Sequence, residues 1–266
     1  RLDAWTEEAA STFFVRGGNY LTDATKYSSE PSLFRLLTVD AVTSTTPYFA
    51  GMCAHPNERV QRALRREQET GSKCLPEFIF AVNLCIPAAA AVGSKPSTDS
   101  CFHWVAYFGM DDKSLLTSDD TAIGRVAKQF FFGNSDSFRD ATFKLIPRIA
   151  QGHYVVRKAV GSKPSILGSK LKQYYARTDR YCEVIVDIGS DSVARRIVKV
   201  RSIGSYVQHL YDILFQLALG YAKNLMVDMM FLLEGQTEET LPERIMGGVR
   251  MMNVDFKTKD GRRVLK

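Results

Sequence analysis

The 266-residue sequence lacks the short motifs that mark common catalytic and nucleotide-binding sites. It contains no H-E-x-x-H, no Walker A motif, no G-x-G-x-x-G and no G-x-S-x-G, which disfavours zinc peptidases, P-loop enzymes, dinucleotide-dependent enzymes and serine hydrolases. Histidine is scarce, and the four histidines are dispersed at positions 55, 103, 153 and 209. We therefore predict a protein that is not an enzyme and binds no cofactor or metal. His103 lies in an apolar segment, which is more typical of a hydrogen-bonded core histidine than of a catalytic base.

Closely spaced cysteines and long apolar runs are absent as well. The five cysteines, at 53, 74, 85, 101 and 182, form no C-x-x-C, a pattern typical of buried thiols in a reducing compartment. The longest charge-free run in the most apolar region covers 213–222, about ten residues, whereas a membrane-spanning helix needs about 20. We therefore predict no transmembrane helix. No apolar signal-peptide region is visible in the sequence, and the cysteine pattern leads us to expect an intracellular protein.

The apolar residues that are present follow the spacing of a globular α+β domain. Alternation predicts strands with one face on a core; the predicted strands cover 33–39, 77–86, 101–110, 143–150, 153–160, 171–177, 181–188, 225–233 and 245–256. Helices are predicted at 57–69, 119–130 and 205–221. Most gaps between strands are too short for parallel crossovers. The sequence therefore predicts a single domain, a mostly antiparallel sheet with packed helices and room for a lipid-type pocket.

Positive charge is concentrated in one part of the chain. The chain has a net charge of +6, but the segment 144–180 holds nine basic residues and one acidic residue, net +8, which leaves −2 for the remainder. The basic residues are Lys144, Arg148, Arg157, Lys158, Lys163, Lys170, Lys172, Arg177 and Arg180. Because successive strands tend to be neighbours, these side chains are expected to share a face that attracts anionic head groups or, less favourably, nucleic acid. The alternatives are solvated charges and ion pairs with carboxylates elsewhere in the fold.

The predicted helix at 205–221 has an apolar stripe at helical spacing. Three interpretations are open: a core helix, a partner-binding helix and a helix lying on a membrane. Its polar face carries few cations, which favours a protein partner over a membrane. The residues predicted to contact a partner are Val207, Leu210, Tyr211, Leu214 and Leu217.

Several short motifs, spread over nearly the whole chain, match one family in order. They are FVR at 14–16, NYL at 19–21, FKLIPRI at 143–149, Gly152, VVRKAVG at 155–161, Pro164, LG at 167–168, VDIGS at 186–190, VAR at 193–195, LGY at 219–221, VD at 227–228 and EETLPER at 238–244. In this order they resemble the C-terminal domain of the plant Enhanced Disease Resistance 2 proteins, a domain long catalogued as one of unknown function.

The resemblance implies a domain that works with lipids and membranes. In plants it usually follows a pleckstrin-homology domain and a steroidogenic-acute-regulatory-related lipid-transfer domain, and it has no established catalytic residues. Its best-marked motifs coincide with the basic segment at Arg148, Arg157 and Lys158. The family typically has only a few residues between the motifs at 193–195 and 219–221. The segment 196–218, which holds most of the predicted helix, is therefore interpreted as an insertion in a domain covering 1–256, with a basic tail at 257–266.

These observations lead to two hypotheses. The first is a non-enzymatic, membrane-associated lipid-binding domain, peripheral to a membrane. Its strands would contact anionic head groups through the basic side chains of Lys144, Arg148, Arg157, Lys158, Lys163 and Lys170. The second is an accessory structural subunit of a large multiprotein complex, docked through the inserted amphipathic helix.

Overall fold

The computed structural model of the chain describes residues 5–87, 101–151, 164–190, 226–252 and 263–264. The predicted strand at 153–160 and the predicted helix at 205–221 lie outside these residues. The strands are Trp5–Thr6 (β1), Phe14–Arg16 (β2), Lys26–Ser28 (β3), Arg35–Ser44 (β4), Phe78–Pro87 (β5), Cys101–Met110 (β6), Phe143–Gln151 (β7), Ser165–Ile166 (β8), Lys172–Arg177 (β9), Tyr181–Asp187 (β10), Met226–Leu233 (β11), Ile245–Met252 (β12) and Arg263–Val264 (β13). The helices are Tyr20–Asp23 (α1), Arg59–Thr70 (α2), Ala122–Phe132 (α3) and Asp136–Thr142 (α4).

The strands form two large sheets and a small hairpin. The five-stranded sheet has the order β1-β12-β11-β7-β8, and the six-stranded sheet has the order β13-β4-β6-β5-β10-β9. Strands β2 and β3 pair only with each other among the described residues. All pairs are antiparallel except β5 with β10 and β4 with β13. The prediction of a single α+β domain with mostly antiparallel sheets is therefore confirmed.

The two sheets pack face to face over an aromatic core. Phe80 and Phe108 of the six-stranded sheet contact Phe143 and Phe231 of the five-stranded sheet, with ring centroids 6.2 Å apart for Phe80–Phe143 and 6.1 Å for Phe108–Phe231. Alternate residues of β5, from Phe78 to Ile86, face this core, as their spacing predicts. Helix α3 extends the same core with buried aromatic side chains. The aromatic rings of this core pack against one another and fill the space between the two sheets.

A separate segment covers the outer face of each sheet. Residues 8–28, the N-terminal layer, cover the five-stranded sheet, where Phe13 and Val15 pack on Ile146 and Met230. Residues 45–70, the helical layer, cover the six-stranded sheet, where Met52 and Val60 belong to a second cluster on its outer face. Both faces of both sheets are therefore buried along much of their length, so polar side chains on the outer faces also need internal partners.

Helix boundaries follow the sequence signals with small shifts. Helix α2 begins at Arg59 after Glu58 rather than after Asn57, and it ends at Thr70, followed by Gly71, whose φ of 68° is left-handed. Helix α3 begins after Thr121, whose hydroxyl accepts a hydrogen bond from the Gly124 N–H. Among the described residues, no helix is long and apolar enough to span a membrane. The described cysteines are all free, and Cys74 alone among them is exposed.

Candidate functional site

The basic segment 144–180 does not form one face in the described part of the structure. Strand β7 belongs to the five-stranded sheet, whereas β9 and β10 belong to the six-stranded sheet. The prediction of a shared face is therefore wrong for the residues on these strands. The physical reason is that the chain crosses from one sheet to the other after β8, so β8 and β9 follow each other in sequence but belong to different sheets.

Lys144 is buried beneath the N-terminal layer. Its side chain is 4% exposed, and its ammonium forms ion pairs with Glu243 and with Glu234, the latter at 3.5 Å. Arg16 joins the same cluster, with its guanidinium 3.1 Å from Glu234 and 3.7 Å from Glu243. Burial lowers the pKa of Lys144, and the two carboxylates oppose this shift because they favour the charged ammonium. The charge of Lys144 is therefore paired inside the fold. This agrees with the alternative that basic residues of this segment form ion pairs with carboxylates elsewhere in the fold.

Arg148 takes part in a second ion-pair cluster on the same outer face. Its Nε donates to Asp228 at 2.8 Å, and its terminal nitrogen lies 3.0 Å from Glu8. Arg250 donates to the other oxygen of Asp228 at 2.6 Å, and this bond raises the pKa of Arg250. The Arg148 guanidinium also stacks 3.8 Å above the centre of the Phe13 ring. Arg148 therefore ties the N-terminal layer to the sheet.

The other predicted anion-binding residues have different surroundings. Lys170 is exposed, and no ion pair joins it to another described residue. Arg157, Lys158 and Lys163 lie outside the described residues, so their role stays a prediction. The same holds for the residues predicted to bind a partner, namely Val207, Leu210, Tyr211, Leu214 and Leu217.

A pocket of about 220 Å³ lies between the N-terminal hairpin and the edge of the five-stranded sheet. Its lining consists of Phe14, Val15, Arg16, Tyr20, Lys26, Lys144, Ile146, Pro164, Ile166, Glu234 and Glu243. The Arg16–Lys144–Glu234–Glu243 cluster provides the charged groups of the lining, and the Arg16 guanidinium lies 4.8 Å from the centre of the Tyr20 ring. Several motifs that are far apart in sequence therefore meet here, including FVR, NYL, FKLIPRI, Pro164 and EETLPER.

The pocket combines a small positive excess with a small volume. Among the described lining residues, three cations (Arg16, Lys26 and Lys144) face two carboxylates (Glu234 and Glu243), which gives a formal charge of +1. Lys26 is exposed, and among the described residues no carboxylate pairs with it. The volume is below the roughly 300–1,000 Å³ of pockets for drug-sized ligands. The pocket thus has room for one small anionic group and not for an acyl chain.

Sequence reasoning missed the contribution of the hairpin to this site. The +8 count covers only 144–180, whereas Arg16 and Lys26 come from the N-terminal layer. The FVR and NYL motifs were a usable signal, since they mark the hairpin that forms one wall of the pocket. The carboxylates Glu234 and Glu243 could not be assigned as partners from spacing alone.

A second polar cluster lies on the outer face of the six-stranded sheet. Glu183 is fully buried and accepts hydrogen bonds from the Met52 N–H at 3.0 Å, the Cys53 N–H at 2.6 Å and the Asn83 amide at 2.8 Å. Burial raises the pKa of Glu183, and these hydrogen bonds oppose that shift. Gly51 has a φ of 93°, and a Cβ there would lie 2.9 Å from the Glu183 carboxylate. A glycine is therefore required where this loop covers Glu183.

His103 extends this cluster as a neutral side chain. Its Nε2 accepts a hydrogen bond from the Tyr48 N–H at 3.4 Å, so the proton is on Nδ1, which donates to the Asn83 side-chain oxygen at 3.0 Å. Burial lowers the pKa of His103 to about 4. The prediction that His103 is a hydrogen-bonded core residue is confirmed. The described residues contain no group of side chains suited to hold a metal ion.

The fold and the site together define an α+β domain of two packed sheets with a cationic pocket on one covered face. The chain belongs to the family of the C-terminal domain of Protein ENHANCED DISEASE RESISTANCE 2, whose sequence profile matches residues 5–255. A similar curated protein is "Protein ENHANCED DISEASE RESISTANCE 2-like" from Arabidopsis thaliana, 27% identical over 258 residues. The chain covers 29% of that protein, and the matched region is 96% of the chain. No solved structure matches the chain.

Proposed function

We propose that this protein is a non-enzymatic, membrane-associated domain that binds the anionic head group of a lipid in the pocket between the N-terminal hairpin and β7. The observation that carries the proposal is the pocket itself. Its described lining has an excess of one positive charge and includes the exposed Lys26, which forms no ion pair with another described residue. An anionic surface attracts basic residues with about 1 kcal/mol each. Membership in the family supports the broader description of the chain as a plant disease-resistance-related domain.

The size of the pocket supports contact with a head group rather than extraction of a whole lipid. About 220 Å³ suits a phosphate or a carboxylate with a short substituent. The acyl chains would stay in the bilayer, and the domain would lie on its surface. The lipid-type pocket predicted from the sequence stays a prediction.

The proposal is tested by vesicle flotation with Lys26→Glu. Wild-type protein should float with phosphatidylcholine vesicles that contain phosphatidylserine and not with phosphatidylcholine alone. Reversal of one charge removes an attraction and adds a repulsion, about 2 kcal/mol in total, so affinity should fall about 30-fold. Equal binding to both vesicles, or none to either, would refute the head-group role.

A matched control is Lys73→Glu, which makes the same charge change at an exposed residue beyond α2, on the side of the other sheet. It should bind as the wild type does, because only charges near the membrane contribute. Lys170→Glu tests the exposed residue predicted from sequence. A loss of binding there as large as for Lys26→Glu would extend the contact surface beyond the pocket.

A further inference from the structure

The N-terminal hairpin, residues 14–28, carries most of the large apolar side chains that the described structure exposes. Four such residues are exposed among the described ones: Phe14 at 63%, Tyr27 at 57%, Leu21 at 51% and Leu115 at 46%. Three of the four lie within this one hairpin, next to the pocket that Phe14 helps to line. Single exposed apolar residues are ordinary, whereas a local concentration marks a contact surface.

The hairpin is anchored to the domain, so these side chains are held outward in the folded state. Val15 is 4% exposed and packs on the sheet. The Arg16 N–H donates to Glu243 at 3.1 Å, and the Arg16 carbonyl accepts from the Glu243 N–H at 2.9 Å. The Tyr27 ring packs so closely over Gly17 that a Cβ there would lie 2.3 Å from it. The hairpin that carries these side chains is therefore a preformed part of the fold.

We propose that Phe14, Leu21 and Tyr27 insert into the interfacial layer of an anionic bilayer and hold the pocket against the head groups. The inference rests on the proposed function and names the part of the protein that enters the membrane. Aromatic side chains with basic neighbours favour the boundary between head groups and acyl chains. Lys26 is adjacent to Tyr27 in sequence and lines the pocket with Phe14.

Charge favours a bilayer over a second copy of the chain at this surface. A two-fold dimer would place the same patch of both copies together. Lys26 and the net positive pocket would then meet their own counterparts, and like charges in contact disfavour association. An anionic bilayer instead complements both the charge and the apolar side chains.

Insertion is tested with tryptophan reporters and vesicles that carry bromine on the acyl chains. Phe14→Trp should be quenched by brominated phosphatidylcholine–phosphatidylserine vesicles, measured as the difference from wild-type fluorescence. Leu115→Trp, at the exposed apolar residue outside the hairpin, should not be quenched. Vesicle binding without quenching of Phe14→Trp overturns the insertion and leaves the head-group role intact. Absence of wild-type vesicle binding overturns both proposals.

The energetic contribution is tested by replacing the apolar side chains. The triple variant Phe14→Ser, Leu21→Ser, Tyr27→Ser should lose at least tenfold in vesicle affinity, and Leu115→Ser should stay within twofold of wild type. Leu21→Ser alone, in the exposed helix α1, gives a variant with minimal effect on folding and should show a smaller loss. Unchanged binding of the folded variants overturns the proposal. So does a dimeric wild type that the triple variant converts to a monomer.

Discussion

The two outer faces of the sandwich bury carboxylates at the same depth but surround them with different partners. Asp228 under the N-terminal layer and Glu183 under the helical layer are both 0% exposed. Asp228 receives hydrogen bonds from two guanidinium groups, those of Arg148 and Arg250. Glu183 receives them from two backbone N–H groups and the Asn83 amide, all of them neutral.

The difference shows that burial alone does not determine what an ionisable residue contributes. A carboxylate with cationic partners forms a unit whose charges compensate each other, and removal of one member leaves the others uncompensated. A carboxylate with neutral donors keeps its charge in the interior, so its ionised form is disfavoured. The N-terminal layer should therefore respond to loss of a charge, and the helical layer should respond to pH.

The largest expected effect is that of Asp228→Asn. The substitution keeps the shape of the side chain but removes one of the two carboxylates, Asp228 and Glu8, with which both arginines form ion pairs. Loss of one partner of a buried ion pair costs about 3–5 kcal/mol. The side chains of Arg148 and Arg250 are 29% and 23% exposed, so we expect a loss near the lower end, about 3 kcal/mol. Urea unfolding at neutral pH measures it.

Asp111→Asn is the matched control for Asp228→Asn. Asp111 pairs with Arg35 at 3.3 Å, but the two side chains are 71% and 54% exposed. An exposed pair contributes about 0–1 kcal/mol. Equal losses of unfolding free energy in the two variants would show that the buried cluster does not depend on charge compensation. The N-terminal layer would then not respond to loss of a charge as we propose.

His103→Gln tests the pH response of the helical layer. The pKa of His103 is lowered from 6.5 to about 4, so the unfolded chain binds the proton more readily than the folded one. The stabilisation is present above pH 6.5 and is lost as the pH falls towards 4. The difference between a pKa of 6.5 and one of about 4 corresponds to about 3 kcal/mol. The variant should lack this part of the pH dependence, which unfolding midpoints between pH 4 and 7 measure. If the stability of wild type and variant changed with pH in the same way, this prediction would be contradicted.

Periodicity in the sequence predicted the strands but not which strands are neighbours. The alternation in Cys101–Met110 gave the bounds of β6 to the residue, because a strand facing a core repeats every two residues. The contacts of Arg16 with Glu243 and of Arg148 with Asp228 join residues 227 and 80 positions apart. Spacing within one segment carries no information on such pairing. This is why the charge count in 144–180 suggested one face where the structure has two sheets.

The smallest of the three effects is expected for Glu183→Gln, and its pH dependence has the opposite sign to that of His103. One amide N–H would face a backbone N–H of Met52 or Cys53, and an unsatisfied buried donor costs about 1–3 kcal/mol. The pKa of Glu183 is raised in the folded state. The folded chain therefore binds the proton more readily than the unfolded one, and wild-type stability is lost as the pH rises from the ordinary carboxyl range through the raised value.

Glutamine does not titrate, so the deficit of Glu183→Gln relative to wild type should be largest at low pH and shrink as the pH rises. Unfolding of both proteins at matched pH values from 4 to 8 measures this narrowing. A deficit that widens with pH would mean that the three neutral donors stabilise the charged carboxylate as well as two arginines do. In that case the two faces would differ in composition and not in electrostatic behaviour.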